Sequence, residues 1–396
     1  MRLRLLLLCC LTMIPGMLLA AALPPVLPDS SRNSYVHSEM NRLSRSDVLK
    51  ELKRKLERGQ SVRIIHLGDS HVQADMMTRV VRRGLQERYG NAGRGLVFAY
   101  QLAGTNAPSD IESFSSIKWS ATRLMKQTPP MTCGICGYVV STDSLNADLA
   151  IGVKQARAKG EFFDRVRIFA SGGGRANLRV SADDALTVTL SEDELAGRRS
   201  VDLPVPTDRV YLDKSGEVPG FAFYGISFEK KEVPGIIYDA IGVNGADYAA
   251  YVGSELFWQQ IGTLGAGAYV VALGTNEAQN QQLNFDLFAD QVRTMVRKLK
   301  QVSPGAVVIL STPPPSYYRR TQVNPLLETI ADTIVRVADE EGVVSWDLFH
   351  AANAAEGASE WQKFGLFRPD KVHYSRAGYE LQGEMMLDLF MRQLGD

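Results

Sequence analysis

Short apolar runs rich in Val, Ile and Leu recur along the chain, and each is followed by a stretch with helical periodicity. "VRIIHL" precedes a helical pattern over 72–88, and "GIIYDAI" (235–241) precedes one over 247–261. "AYVVALG" (268–274) leads to "FDLFADQVRTMVRKLKQV", and "AVVILS" (306–311) leads to "NPLLETIADTIVRVADEEG". A last run, "VVSWDL", comes before a final helix from about Ser375. Strands this rich in Val, Ile and Leu, alternating with amphipathic helices, belong to a sheet covered on both faces. Alternation with helices predicts an α/β fold: a flavodoxin-like, doubly wound, five-stranded parallel sheet with right-handed crossovers. Ahead of it, residues 46–58 place Val48, Leu49, Leu52 and Leu56 on one helical stripe, with Ser46 as the cap.

The pattern breaks over about 100–234. "DRVRIFA", "ANLRVSA", "ALTVTLS", "RSVDLPV" and "DRVYLD" are short β-type runs spaced by Gly, Asp, Asn and Pro. They predict a small antiparallel sandwich. The expected organisation is an α/β domain, 44–99 and 235–396, carrying a β-rich insertion over 100–234.

The N-terminus, "MRLRLLLLCCLTMIPGMLLAAALPPVLP", puts two arginines before an apolar run that ends in small residues at Ala20 to Ala22. That is the form of a secretory signal peptide over 1–22. The alternative is an uncleaved anchor, since the run reaches about the length of a bilayer span. Cys9 and Cys10 follow leucines and lack the small preceding residue of a lipoprotein site. Residues 23–43, polar with Pro and Ser, read as a flexible lead-in. The expectation is an exported protein of the periplasm or cell envelope, with no stable membrane insertion after cleavage.

Composition narrows the classes. Lys+Arg and Asp+Glu are both 44, which gives no electrostatic footing for nucleic-acid binding. The five histidines fall in no metal-binding spacing, so no metal or other cofactor is expected. Cys133 and Cys136 in "MTCGICGY" do not open a helix after a strand; in an oxidising compartment they predict a small disulfide-clipped loop.

In doubly wound sheets, ligands bind at the carboxyl ends of the strands. The first strand ends in Gly68-Asp69-Ser70, the second in "GVNGAD", the third in "GTNE", and the fifth precedes a loop with "RPDKVHYSRAGY". Ser70 at a strand-to-helix turn reads either as a helix cap or as a nucleophile. Its companions favour acyl transfer. His373 is the candidate base, and Asp370 three residues earlier is the group that fixes its tautomer. The backbone N–H groups of Ser70 and Gly245 and the side-chain amide of Asn276 are candidate oxyanion donors. Ser375 reads as the cap of the last helix, Asp69 as a brace of the turn, His66 as core and Asp75 as helix surface. His71, Tyr317 and Trp361 are the candidate substrate-lining side chains: His71 either lines the site or opens the helix, and Tyr317, Trp361, Tyr318 and Phe364, placed in rim loops, either stack on sugar or pack.

At "HLGDSH", "GVNGA", "LGTNE" and "DKVHYSRAGY" the sequence resembles the SGNH (GDSL-like) hydrolases, in that family's order. It departs from the better-known subgroup at His71, where that subgroup has leucine. "GDSHVQAD", "GNAGRGLV" and the β-rich interruption make it most similar to bacterial peptidoglycan O-acetylesterases, which carry a carbohydrate-binding-module-like domain at that place. The resemblance implies removal of O-acetyl groups from muramic acid of the cell wall through an acetyl-serine intermediate. Two alternatives stay open: a peptidoglycan or polysaccharide O-acetyltransferase, and an acetyl esterase acting on another polysaccharide such as xylan. The expected partner is O-acetylated peptidoglycan or another acetylated glycan.

Overall fold

The computed structural model describes residues 35–395 except 46, 127–130, 157–159, 173–174 and 181–182. The signal sequence, much of the lead-in and the Ser46 cap lie outside the described residues. Helix Lys50–Glu57 has Leu49 at its N-cap and no side-chain cap bond.

The central sheet holds six parallel strands, β1 (Val62–Gly68), β2 (Asn91–Gly93), β3 (Ile236–Gly242), β4 (Ala268–Ala272), β5 (Val307–Ser311) and β6 (Val344–Trp346). Their spatial order is β6-β5-β4-β1-β3-β2. Without β2, this is the expected flavodoxin-like order. The short β2 adds a sixth strand at the edge, pairing Asn91 with Ile236 and Gly93 with Ile237; three residues ending in glycine leave no hydrophobic run to read.

Side chains alternate across the sheet, as the period of two requires. Ile65, Leu67, Tyr269, Val271 and Leu310 face one core, filled by Phe288, Val292 and Val296 of helix Phe285–Val302 and by Ile330 and Ile334 of Leu327–Glu340. Val62, Ile64, Tyr238 and Val270 face the other, against Met77, Val81 and Leu85 of helix Met76–Tyr89 and Met385, Met386 and Phe390 of Arg376–Leu394. The described part of the lead-in, 35–43, belongs to this second core rather than to solvent. Tyr35 and Val36 are buried, Asn41 accepts from the Trp346 indole at 3.0 Å, and Leu43 bridges to Trp346.

Two expected helices are broken. The 72–88 helix splits into Ser70–Gln73 and Met76–Tyr89 at Asp75, which has φ 56°. Asp75 is not on a helix surface but buried, paired with Arg82 and Arg94 at 2.8 Å each. Burying that carboxylate between two guanidinium groups requires the turn. The 247–261 helix divides at Gly253 and Ser254.

The insertion is two antiparallel sheets. One contains Ile111–Phe114, Ala147–Val153, Arg175–Val180, Asp183–Leu190 and Arg209–Ser215; the other contains Ser120–Arg123, Tyr138–Thr142, Phe163–Ser171, Val201–Thr207 and Phe221–Glu229. Gly95–Val97 pairs with Phe221–Glu229, so the chain joins the second sheet before residue 100. Phe98, Phe169, Phe223 and Ile226 share one continuous apolar cluster with Leu67, Ile241 and Val271 of the central sheet. Cys133 and Cys136 are buried thiols with no disulfide between them. Cys136 Sγ lies 3.7 Å from the Val97 carbonyl oxygen, and burial pushes the Cys133 thiol up to about 12. A packed core holds this loop where a covalent clip was expected. Among the described residues, no helix is long and apolar enough to cross a membrane.

Candidate active site

The turn after β1 is built by close backbone approach. A Cβ at Gly68 would meet Val72 Cγ2 at 2.4 Å, and one at Gly242 would meet Gln73 N at 2.1 Å. Two glycines at the ends of β1 and β3 thus let helix Ser70–Gln73 seat directly on the sheet. The cap of this helix is Asp69, whose carboxylate accepts the His71 N–H at 2.9 Å. Ser70 is therefore released from capping.

Ser70 Oγ lies 2.8 Å from His373 Nε2, and His373 Nδ1 lies 3.2 Å from Asp370 Oδ2. The Asp370 loop is closed locally: the N–H of Arg368 donates to the His373 carbonyl, and Asp370 Oδ1 accepts from Val372 N–H (2.9 Å) and His373 N–H (2.7 Å). Partial burial opposes charge on Asp370, yet these backbone donors and the His373 ring hold its carboxyl below the ordinary carboxylate value. An ionised Asp370 fixes the His373 ring with Nδ1–H toward it and leaves Nε2 free to accept from Ser70. Ser375 caps the following helix, accepting from Gly378 N–H at 3.3 Å.

Gly245, at φ +83° with nothing near its absent side chain, lines the same cavity as Ser70 and His373. Asn276, on the helix Thr275–Ala278 after β4, lines it too; its amide donates to Ala246 O (2.8 Å) and Asp69 Oδ2 (3.2 Å). The cavity measures about 500 Å³, and the structure gathers all five residues singled out for chemistry around it.

The substrate-lining expectations fare otherwise. Trp361 is fully buried inside a helix, with its indole N–H on the Tyr35 carbonyl at 2.7 Å. Tyr317 is buried against Phe367 and Lys371 and is absent from the cavity wall. Both belong to packing, because their segments fold back onto core residues instead of forming open rim loops. Phe364 and Tyr318 do not line the cavity either. His71 sits behind the reactive histidine, the ring centroids 5.4 Å apart, with Nδ1 3.0 Å from Tyr379 Oη. Burial, aided by the nearby His373, pushes the His71 imidazole down to about 3. His71 is therefore neutral, and a charge forming on His373 meets no like charge beneath it. His66 is a core histidine paired with Tyr238.

Several residues at the site carried no signal in the sequence. Gln73, only 2% exposed, donates to Thr105 Oγ1 and to Asn106 O and Oδ1, each at 2.9 Å. Its carbonyl accepts from Tyr138 Oη (2.7 Å) and Asn244 N–H (2.8 Å). One side chain thus ties the Ser70 helix, the Gly245 turn and the insertion together. Asn106 and Arg123 of the insertion line the cavity, with Arg368 and Tyr379 of the α/β domain. Among the described residues, no cluster of His, Cys, Asp and Glu is arranged to hold a metal ion.

Residues 227–381 match the profile of the GDSL-like Lipase/Acylhydrolase family. Ser70 lies outside that stretch, separated from it by most of the insertion. Among solved structures, a peptidoglycan O-acetylesterase superposes with a TM-score of 0.72 at 21% identity, covering 91% of this chain and 98% of that one. Smaller enzymes align over less of the chain. A lipase/acylhydrolase from Enterococcus faecalis (18% identity, TM-score 0.31) covers 39% of this chain and 74% of its own. An acetylxylan esterase from Geobacillus stearothermophilus (17% identity, TM-score 0.32) covers 41% and 74%. No protein of curated function matches the chain in sequence. The profile match over 227–381 and the superposition over the whole chain make it similar in fold to the GDSL-like hydrolases.

Proposed function

We propose that this chain removes O-acetyl groups from cell-wall peptidoglycan, with Ser70 as nucleophile, and that it is exported to the periplasm or cell envelope to do so. The observation that carries the chemistry is the Ser70–His373–Asp370 relay, at 2.8 and 3.2 Å, opening into a cavity that Gly245 and Asn276 also line. Likeness to a peptidoglycan O-acetylesterase over nearly the full length of both chains, insertion included, supports the choice of substrate. The leader-like N-terminus supports export.

In this mechanism Ser70 Oγ attacks the acetyl carbonyl as His373 Nε2 takes its proton. The carbonyl oxygen becomes an oxyanion and draws on the N–H groups of Ser70 and Gly245 and on the Asn276 amide. It takes the Asn276 hydrogen that rests on Asp69 at 3.2 Å. Collapse returns the proton from His373 to the leaving sugar oxygen and leaves acetyl-Ser70. Water, deprotonated by His373, then cleaves that ester, and acetate departs. Asp370 stays ionised throughout and stabilises the imidazolium.

The test is acetate release from O-acetylated peptidoglycan, with and without a free sugar acceptor, beside acetylated xylan. Acetate from peptidoglycan at rates above those on xylan is expected. Dominant transfer to the acceptor would make the chain an O-acetyltransferase, and faster xylan turnover would reassign the substrate.

A further inference from the structure

We infer that the acetylated substrate carries a carboxylate close to its ester, and that Arg123 and Arg368 receive it. This deepens the esterase reading above and rests on it. The permanently charged side chains lining the cavity are these two arginines, with no carboxylate among the lining residues. Neither arginine has an ion-pair or cation–π partner among the described residues, although the chain offers as many acids as bases. The buried arginines show the contrast. Arg63 is matched to Glu229 and Asp239, and Arg82 and Arg94 to Asp75 and Asp110.

The two carboxylates beside Ser70 and His373 are already committed. Asp370 is held by His373 and two backbone N–H groups, and Asp69 is buried under His71 and Asn276. The two guanidinium groups also have separate origins. Arg123 ends the insertion strand Ser120–Arg123, which pairs with Tyr138–Thr142, and Arg368 stands in the loop that carries Asp370 and His373. The insertion thus supplies half of a cationic mouth to a site whose chemistry lies wholly in the other domain. A guanidinium fork matches a carboxylate in charge and in planar, two-point geometry. A low-dielectric cleft lined by one sign of charge concentrates ligands of the other. A neutral acetylated polymer leaves both cations unanswered. A sugar acid, or a glycan with an acidic peptide stem, answers them.

A matched pair of probes tests this: the methyl glycoside of O-acetylated glucuronic acid, and the same compound with its carboxylate blocked as a methyl ester. Wild-type kcat/KM on the 6-acid should exceed that on the blocked ester by roughly ten-fold or more, with the gain in KM and its size shrinking as salt is raised. The double variant Arg123→Gln/Arg368→Gln should bring the ratio to about one, while Lys at both positions should restore part of it. Equal rates on the two probes in the wild type, or a preference that survives the double Gln variant, would overturn the inference. Titration of both probes into Ser70→Ala reads the same preference with no turnover. Failure of cleavage and failure of charge recognition are therefore seen separately, and equal affinities there would count against the carboxylate.

Discussion

At Ser70 the side chain nearest in sequence decides what the serine is able to do. Asp69 accepts the helix N–H that a capping serine would take, so Ser70 Oγ is available to His373. Replacing Asn276 with alanine removes a donor from the oxyanion's position, and turnover should fall about 100- to 1000-fold with KM little changed. Steady-state kinetics on a small acetyl ester checks this. Glu277 next to it has a different consequence. Burial, against the N–H of Tyr248, pushes its carboxyl up to about 8 from an ordinary 4.5, and Oε2 has no hydrogen-bond partner among the described residues. Between those two values the native state holds a proton that the unfolded chain has lost, so raising the pH costs stability, by up to about 1.4 kcal/mol per unit. Asp69, raised by burial to about 7, adds a slope of the same sign. Glu277→Gln should match the wild type near pH 5 and melt higher at pH 8; thermal melts showing an offset independent of pH would contradict it. At this scale the sequence was legible where partners lie close along the chain. Asp370 and His373 are one turn apart, and Ser70 ends an unmistakable strand. For Trp361 the sequence leaves stacking on sugar and packing undivided, because nothing local reveals that its face of the helix meets Tyr35, more than 300 residues away in sequence.

Between elements, the contacts that position the site are polar and long-range. Gln73 binds the Ser70 helix to the Gly245 turn and to Thr105, Asn106 and Tyr138 of the insertion. Its loss should shift the Gly245 N–H relative to Ser70, and misplacements of that kind cost about 100-fold in turnover. Gln73→Ala is expected to lower kcat more than it raises KM, with faster amide exchange at 243–246 and 105–106. An unchanged kcat would show that the turn holds itself. The Asp75–Arg82–Arg94–Asp110 network is the second such device, and it is almost wholly removed from water. Asp75→Ala strands two buried guanidinium groups and should destabilise the fold by about 3–5 kcal/mol, measured by urea unfolding. Hydrophobic periodicity marked the strands and helices that surround these networks. It was silent on where a glutamine or an aspartate points, because a polar residue on a helix reads as solvated until its partners are known.

For the molecule as a whole, the insertion and the α/β domain share one apolar cluster and one cavity wall. A bead-like module would unfold by itself; here a single cooperative thermal transition is expected, and deletion of 100–234 should leave Leu67, Ile241 and Val271 without part of their packing and yield no soluble enzyme. Two separate calorimetric transitions would refute that coupling. The five-strand order followed from the alternation of runs, and the sandwich from its turn-rich spacing. How intimately they pack did not, since the joining residues are spread from Gly95 to Phe228 with no shared period. If the acetyl group passes through Ser70, acetate release from O-acetylated peptidoglycan by wild-type protein and by folded Ser70→Ala, measured side by side, will separate the two proteins. Release by the wild type and a loss of at least about 1000-fold in the variant are expected; release by Ser70→Ala at the wild-type rate would rule out a covalent Ser70 intermediate.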